Sequence, residues 1–200
     1  MSADPVDAVV AALRAGEPVI LPTDTVYGLC ATAEGPEATA RLYALKGRDP
    51  GQPSALIAGD LDMLLACIPE LAGRSAAIAA ALLPGPYTLV LPNPARRYAW
   101  LTGGTPEAIG VRVPRLGEAC AAVLARAGAV VATSANPPGG PDPARLEDVD
   151  AELRSRVAAA LDGGELPGTP STVIDFTGPE PRILREGAAS ALEAIGRALA

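Results

Sequence analysis

Leu21-Pro22-Thr23-Asp24-Thr25-Val26-Tyr27-Gly28-Leu29, followed by Leu45-Lys46-Gly47-Arg48, is the stretch around which the chain is organised. Val19-Ile20-Leu21, bounded by Pro18 and Pro22, reads as a short buried strand. Gly35-Pro36 then opens a helical pattern, with Ala40, Leu42, Tyr43 and Leu45 on or near one face and proline suited to the first helical position. Two threonine hydroxyls and a phenol therefore leave a strand tip, and two cations follow the end of the next helix. Such a set offers hydrogen bonds to a small polar ligand and positive charge to a phosphorylated one.

Working outward, Asp4-Pro5 caps a helix through Leu13 that stops at Gly16. Ala55–Ala58, Tyr87–Leu91, Ala108–Val113 and Ala129–Ala132 read as strands. Helices are expected after Asp60, from about Glu70 to Leu83, over Gly117–Ala127, over Leu146–Leu161 and over Ser190–Leu199. Thr172–Phe176 and Arg182–Arg185 form a hairpin, and Asn93–Glu107 reads as a long functional or mobile loop. Interleaved strands and helices favour a sheet covered by helices, and the late hairpin makes that sheet mixed. With no repeat and no linker-like shift in composition, residues 1–200 read as a single domain.

Composition removes several classes of chemistry. The chain has no histidine, which excludes histidine-dependent triads and histidine metal sites. A formal net charge of −7 argues against a broad nucleic-acid-binding surface. Cys30, Cys67 and Cys120 lack metal-ligand spacing and read as small core residues of a reducing, cytoplasmic protein. No apolar run reaches membrane-spanning length. Neither a Walker loop nor a dinucleotide fingerprint occurs, so side chains must hold any nucleotide.

Each candidate has a plainer explanation. Lys46 and Arg48 suit a helix C-terminus, Thr23 and Thr25 suit a turn, and Tyr27 suits a packed core. Arg112, inside a valine-flanked strand, must reach solvent, a carboxylate or a ligand. Thr133-Ser134-Ala135-Asn136 stands at the end of a strand, where open sheets place ligands, although it also suits a turn into Pro137. Arg185 beside Glu186 is open to reading as a surface ion pair.

Taken in order, the motifs resemble the YrdC-like family of threonylcarbamoyl-adenylate synthases. The matching pieces are Pro22–Gly28, Lys46-Gly47-Arg48, Pro84-Gly85-Pro86 with Thr88, Val111–Pro114, Ser134–Asn136, Pro170–Val173 and Leu184–Gly187. The resemblance implies a twisted, mixed but mostly parallel sheet flanked by helices around a large open cavity, in the short single-domain form. It implies L-threonine, bicarbonate (or carbon dioxide) and ATP as substrates, with Mg²⁺ carried by ATP. It also implies downstream threonylcarbamoyl-transfer proteins, and tRNA, as partners. By position, Lys46, Arg48, Ser134 and Asn136 match the catalytic, phosphate-handling set. Thr23, Thr25, Tyr27, Arg112 and Thr133 match the threonine and bicarbonate site, and Gln52, Ser171, Thr172 and Arg185 join the nucleotide site. Gln52 stands where the family usually has a lysine, removing one cation, and the resemblance then implies weaker ATP binding. Two alternatives stay open: a carbamoyl-adenylate enzyme of another pathway, and a non-catalytic RNA-binding module.

Overall fold

A computed structural model describes residues 4–200. Helix α1 (Pro5–Arg14) begins where Asp4 accepts the Val6 N–H, and it buries Val9, Val10 and Leu13. Strand β1 (Val19–Pro22) turns back into β2 (Tyr27–Thr32), with Val19 opposite Cys30 and Pro22 opposite Tyr27. The sequence pattern predicts a loop over Pro22–Gly28 and assigns no strand to the rest of β2. Five of its six residues are buried and the sixth is half-buried, so no polar alternation marks it as a strand. Helix α2 (Pro36–Lys46) ends at Gly47, whose φ of 66° is the left-handed conformation that closes many helices.

The chain continues through β3 (Ala55–Ile57), α3 (Leu61–Cys67), α4 (Arg74–Leu82), β4 (Tyr87–Pro92), β5 (Ala108–Arg112), α5 (Glu118–Ala127) and β6 (Val130–Ser134). It finishes with α6 (Ala151–Arg156), β7 (Ala159–Ala160), β8 (Thr172–Asp175), β9 (Arg182–Arg185) and α7 (Ala191–Ala198). Asp60 accepts the Met63 N–H at 2.7 Å and caps α3, as expected.

The long helix expected over Leu146–Leu161 is broken into a 3₁₀ turn, α6 and β7. Asp148 closes the turn by accepting the Arg145 N–H, and Asp150 restarts a helix by accepting the Leu153 N–H. Beyond Arg156 the backbone pairs instead with the edge of β1, Ala158 N–H to Pro18 O and Leu161 N–H to Ile20 O. An otherwise unpaired strand edge outweighs local helical preference here.

The nine strands form one mixed sheet in the order β7-β1-β2-β6-β3-β5-β4-β8-β9. The mixed character agrees with the sequence reading, but its parallel majority does not. Five of the eight pairings are antiparallel, and only β1–β7, β3–β5 and β4–β8 run parallel. The β1–β2 and β8–β9 hairpins, the antiparallel β4–β5 pair and β6 inserted between β2 and β3 account for the difference.

One face of the sheet is covered along its length. Leu56, Leu89, Val111, Val131 and Ile174 pack there with Leu42, Leu64, Ile78 and Ala194 from α2, α3, α4 and α7. On the other face, Val19, Leu21, Cys30, Ile57 and Val130 pack under α1 and α5 through Val10, Leu13, Cys120 and Val123. This second cover stops near β3. Beyond it the same face presents Gly110, Arg112, Thr88, Val90, Ser171, Val173 and Asp175 to a cavity. The strict in–out alternation of β4 follows from that arrangement: Tyr87, Leu89 and Leu91 are buried, and Thr88 and Val90 half-open.

Candidate active site

The cavity has a volume of about 510 Å³, in the range of small-molecule sites. Its walls carry Arg48, Arg112, Arg182 and Arg185 against a single acid, Asp175, so the lining is positive although the chain is acidic.

One wall forms where α2 ends beside β6. Lys46 is 8% exposed, and its ammonium donates to Thr133 Oγ1 at 3.1 Å, the Ser134 carbonyl at 2.5 Å and Asn136 Oδ1 at 3.0 Å. Burial, then the neighbouring Arg48, lowers its pKa to about 8, with Asp142 acting in the opposite direction. Ser134 Oγ donates to Asn136 Oδ1 at 2.6 Å, and the Asn136 amide donates to Gly140 O, tying the glycine loop to the wall. Arg48 donates to Pro53 O at 2.6 Å and to Thr133 Oγ1 at 3.4 Å, and lies 6.0 Å from the centre of the Tyr43 ring. Its Nε is buried without a partner.

A second part of the wall is built on Arg112. Its Nη2 donates to Thr25 Oγ1 at 2.6 Å, to Asp24 Oδ1 at 2.5 Å and to Thr23 Oγ1 at 3.4 Å. Asp24 was not among the candidate residues, because its partner lies 88 positions away in sequence. Thr23 lines the cavity while also closing its own turn, accepting the Val26 N–H and donating to Val26 O. Further along, Arg185 grips Ser171 through the carbonyl at 2.8 and 3.0 Å and the hydroxyl at 3.2 Å, and Ser171 meets Thr88 Oγ1 at 2.8 Å. Burial lowers the Arg185 pKa, and nearby Arg112 adds to the effect. Asp175 accepts from Thr177 and Arg182; burial opposes its ionisation, but those hydrogen bonds together hold its pKa below the usual value.

The structure sorts the sequence candidates. Thr23, Arg48, Arg112, Thr133, Ser134, Ser171 and Arg185 line the cavity. Lys46, Thr25 and Asn136 stand directly behind, hydrogen-bonded to lining residues. Three candidates are elsewhere. Tyr27 is fully buried, its hydroxyl donating to Asp162 and Gly164 O and accepting the Gly163 N–H. Thr172 is fully buried and bonds to Ala189, because strand alternation turns it away from Ser171 and Val173. Gln52 is exposed on the turn that its N–H closes onto Asp49 O.

Asn93–Glu107 also reaches the site, supplying Thr102 and Thr105 to the lining. It is not a free loop. Asn93 is fully buried and clamps it through Arg97 and Pro106, while Leu101 is buried and its carbonyl accepts the Ser54 N–H. Asp175 and Arg182 were missed as well; the pair becomes visible only once the β8–β9 register sets them opposite each other.

Residues 11–187 match the Sua5/YciO/YrdC family model, described as telomere recombination. The chain belongs to the Sua5/YciO/YrdC family. It is similar to the threonylcarbamoyl-AMP synthase of Chromohalobacter salexigens, 38% identical over 187 residues that cover 90% of this chain and 96% of that one. It is also similar to the threonylcarbamoyl-AMP synthase of Pyrococcus abyssi, 34% identical over 88% of this chain and 52% of the relative, so it spans about half the length of that protein. The crystal structure of P. abyssi Sua5 complexed with L-threonine superposes with a TM-score of 0.85 at 31% identity, covering 98% of this chain and 59% of that one. The mixed sheet and half-covered face described above are thus a Sua5/YciO/YrdC fold.

Proposed function

We propose that this chain is an L-threonylcarbamoyladenylate synthase, making threonylcarbamoyl-AMP and pyrophosphate from L-threonine, bicarbonate or carbon dioxide, and ATP. The observation that carries the reading is that cations from distant parts of the chain gather at one cavity: Arg48 and Arg112 line it, and Lys46 is hydrogen-bonded to Thr133 and Ser134 of its lining. Threonine's amine adds to carbon dioxide to give a carbamate and releases a proton to solvent. The carbamate oxygen attacks the α-phosphorus of ATP, an O–P bond forms, and the bond to pyrophosphate breaks. This nucleophile is already anionic, so the adenylyl step needs no histidine. Alignment and preorganised positive charge are the main contributions asked of the protein.

Lys46 and Arg48 stabilise charge on the phosphates and the departing pyrophosphate. Ser134 and Asn136 hold Lys46 in place, and Thr133 bridges the two cations. Arg112, with Thr23 and Thr25, takes the amino acid's carboxylate and the carbonate oxygens. A symmetric two-pronged grip on that carboxylate, the simplest role for an arginine, is not available while Asp24 and Thr25 occupy Nη2. Ser171 and Arg185 hold the nucleotide. Tyr27, Gln52 and Thr172 are left out of the contact set by their positions. Mg²⁺ would enter with ATP and stay on phosphate oxygens and water.

The product would pass to proteins that transfer threonylcarbamoyl groups to tRNA, in the cytoplasm. Among the described residues no helix is long and apolar enough to cross a membrane. The test is an ATP–pyrophosphate assay comparing threonine plus bicarbonate with carbamoyl phosphate. Turnover only with the first pair is expected, and turnover only with carbamoyl phosphate would overturn the reading.

A further inference from the structure

The cavity has to keep two kinds of anion apart, a polyphosphate and a single carboxylate. Its cations are not equivalent in this respect. Asp24 and Arg112 form an ion pair at 2.5 Å with side chains only 11% and 8% exposed. The second Asp24 oxygen accepts the Arg115 N–H at 3.0 Å, so both carboxylate oxygens are engaged. The two hydrogens of Arg112 Nη2 are spent on Asp24 and Thr25, and Nε is buried without a partner. Lys46, Arg48 and Arg185, in contrast, take part in no ion pair among the described residues, and Arg182 is paired with Asp175.

We infer that Asp24 is a specificity-determining residue that sorts the two anionic substrates. By neutralising Arg112, it stops that guanidinium from competing with Lys46 and Arg48 for polyphosphate, while a singly charged carboxylate still finds the remaining arm of the fork. Attraction for a multiply charged ligand scales with the local net charge, so an ion pair draws a triphosphate far less than a bare cation does. A carboxylate depends more on directed hydrogen bonds, which the Nη1 arm of Arg112, outside the contacts with Asp24, Thr23 and Thr25, still offers. The geometry also holds the arginine against Thr25, so Asp24 positions it as well as discharging it. This inference rests on the proposed reading that threonine and ATP share the cavity.

The experiment is calorimetric titration of L-threonine with and without inorganic tripolyphosphate, using the native chain, Asp24→Asn and Asp24→Glu. Native protein and Asp24→Glu are expected to bind threonine equally well with the probe present. In Asp24→Asn the probe is expected to weaken threonine binding by about tenfold or more, the consequence of uncovering one charge in a partly buried site. A purely structural role would not create this competition. Displacement of threonine from the native chain by tripolyphosphate would overturn the inference, and this arm does not depend on any variant folding. A folded Asp24→Asn that is no more sensitive than native protein would also overturn it. Failure of the native chain to bind threonine at all would overturn the proposed function together with the inference.

Discussion

At the scale of single residues, Lys46 combines burial with a functional charge, and the two respond to pH in opposite directions. Its pKa is lowered in the folded protein from 10.5 to about 8. Between those values the unfolded chain binds more protons than the folded one, so the stability contribution of this group rises with pH across the window. The proposed reaction uses the ammonium form. Accordingly kcat/KM is expected to fall above pH 8, with Lys46 as the titrating group, while the melting temperature does not follow it down. A kcat/KM flat to pH 10 would show that the charge is not used. Lys46→Ala and Arg48→Ala are each expected to depress pyrophosphate release by about 10²-fold, the scale of losing one transition-state charge donor. Arg112→Lys should raise the threonine KM, because an ammonium cannot serve Asp24, Thr25 and a ligand with one planar fork.

Elements decide which residues are available to the site. Tyr27 stands in the motif that marks the family, yet β2 sends its ring into the core, where the hydroxyl holds the 162–164 turn. Tyr27→Phe should therefore lower unfolding free energy by about 1–3 kcal/mol in urea titrations and leave the threonine KM unchanged, as for loss of a buried hydrogen-bond partner. A raised KM with unchanged stability would return Tyr27 to the contact set. Gly187, after β9, has a different duty: a Cβ there would come within 2.2 Å of Pro170 O and 2.6 Å of the Ser171 carbonyl carbon. Gly187→Ala should push the Pro170–Ser171 segment off Arg185 and raise the KM for ATP more than that for threonine. Strands β1, β3, β4, β5 and β6 and the β8–β9 hairpin could be read from apolar runs between prolines and glycines. Strand β2 could not, because a strand buried on both faces with Gly28 and Ala31 in it carries neither alternation nor β-branched enrichment. The break after Arg156 was equally hidden, since the β1 edge that recruits Ala158–Leu161 lies about 140 residues earlier in the chain.

For the whole molecule, the decisive feature is a sheet whose second face is roofed only partway by α1 and α5, which leaves the other half as a cationic hollow. Local patterns carried the interleaving of helix and strand, and the resemblance carried the grouping of Lys46, Arg48, Arg112, Ser134 and Arg185 as site candidates. Strand direction was beyond them, because whether β6 enters parallel or antiparallel beside β2 depends on pairings about 100 residues apart, not on the composition of either strand. Asp24 was hidden for the same reason, its partner Arg112 lying 88 residues away, whereas Asp175 and Arg182 are seven residues apart and only the hairpin register that sets them opposite was missing. The central claim is that this hollow joins a threonine-derived carbamate to the adenylyl group of ATP. Mass spectrometry of the products from ATP, ¹³C-bicarbonate and L-threonine tests it most directly. A threonylcarbamoyl-AMP adduct carrying the label, formed in step with pyrophosphate, is predicted; ATP consumed to AMP and pyrophosphate with no labelled adduct would contradict it.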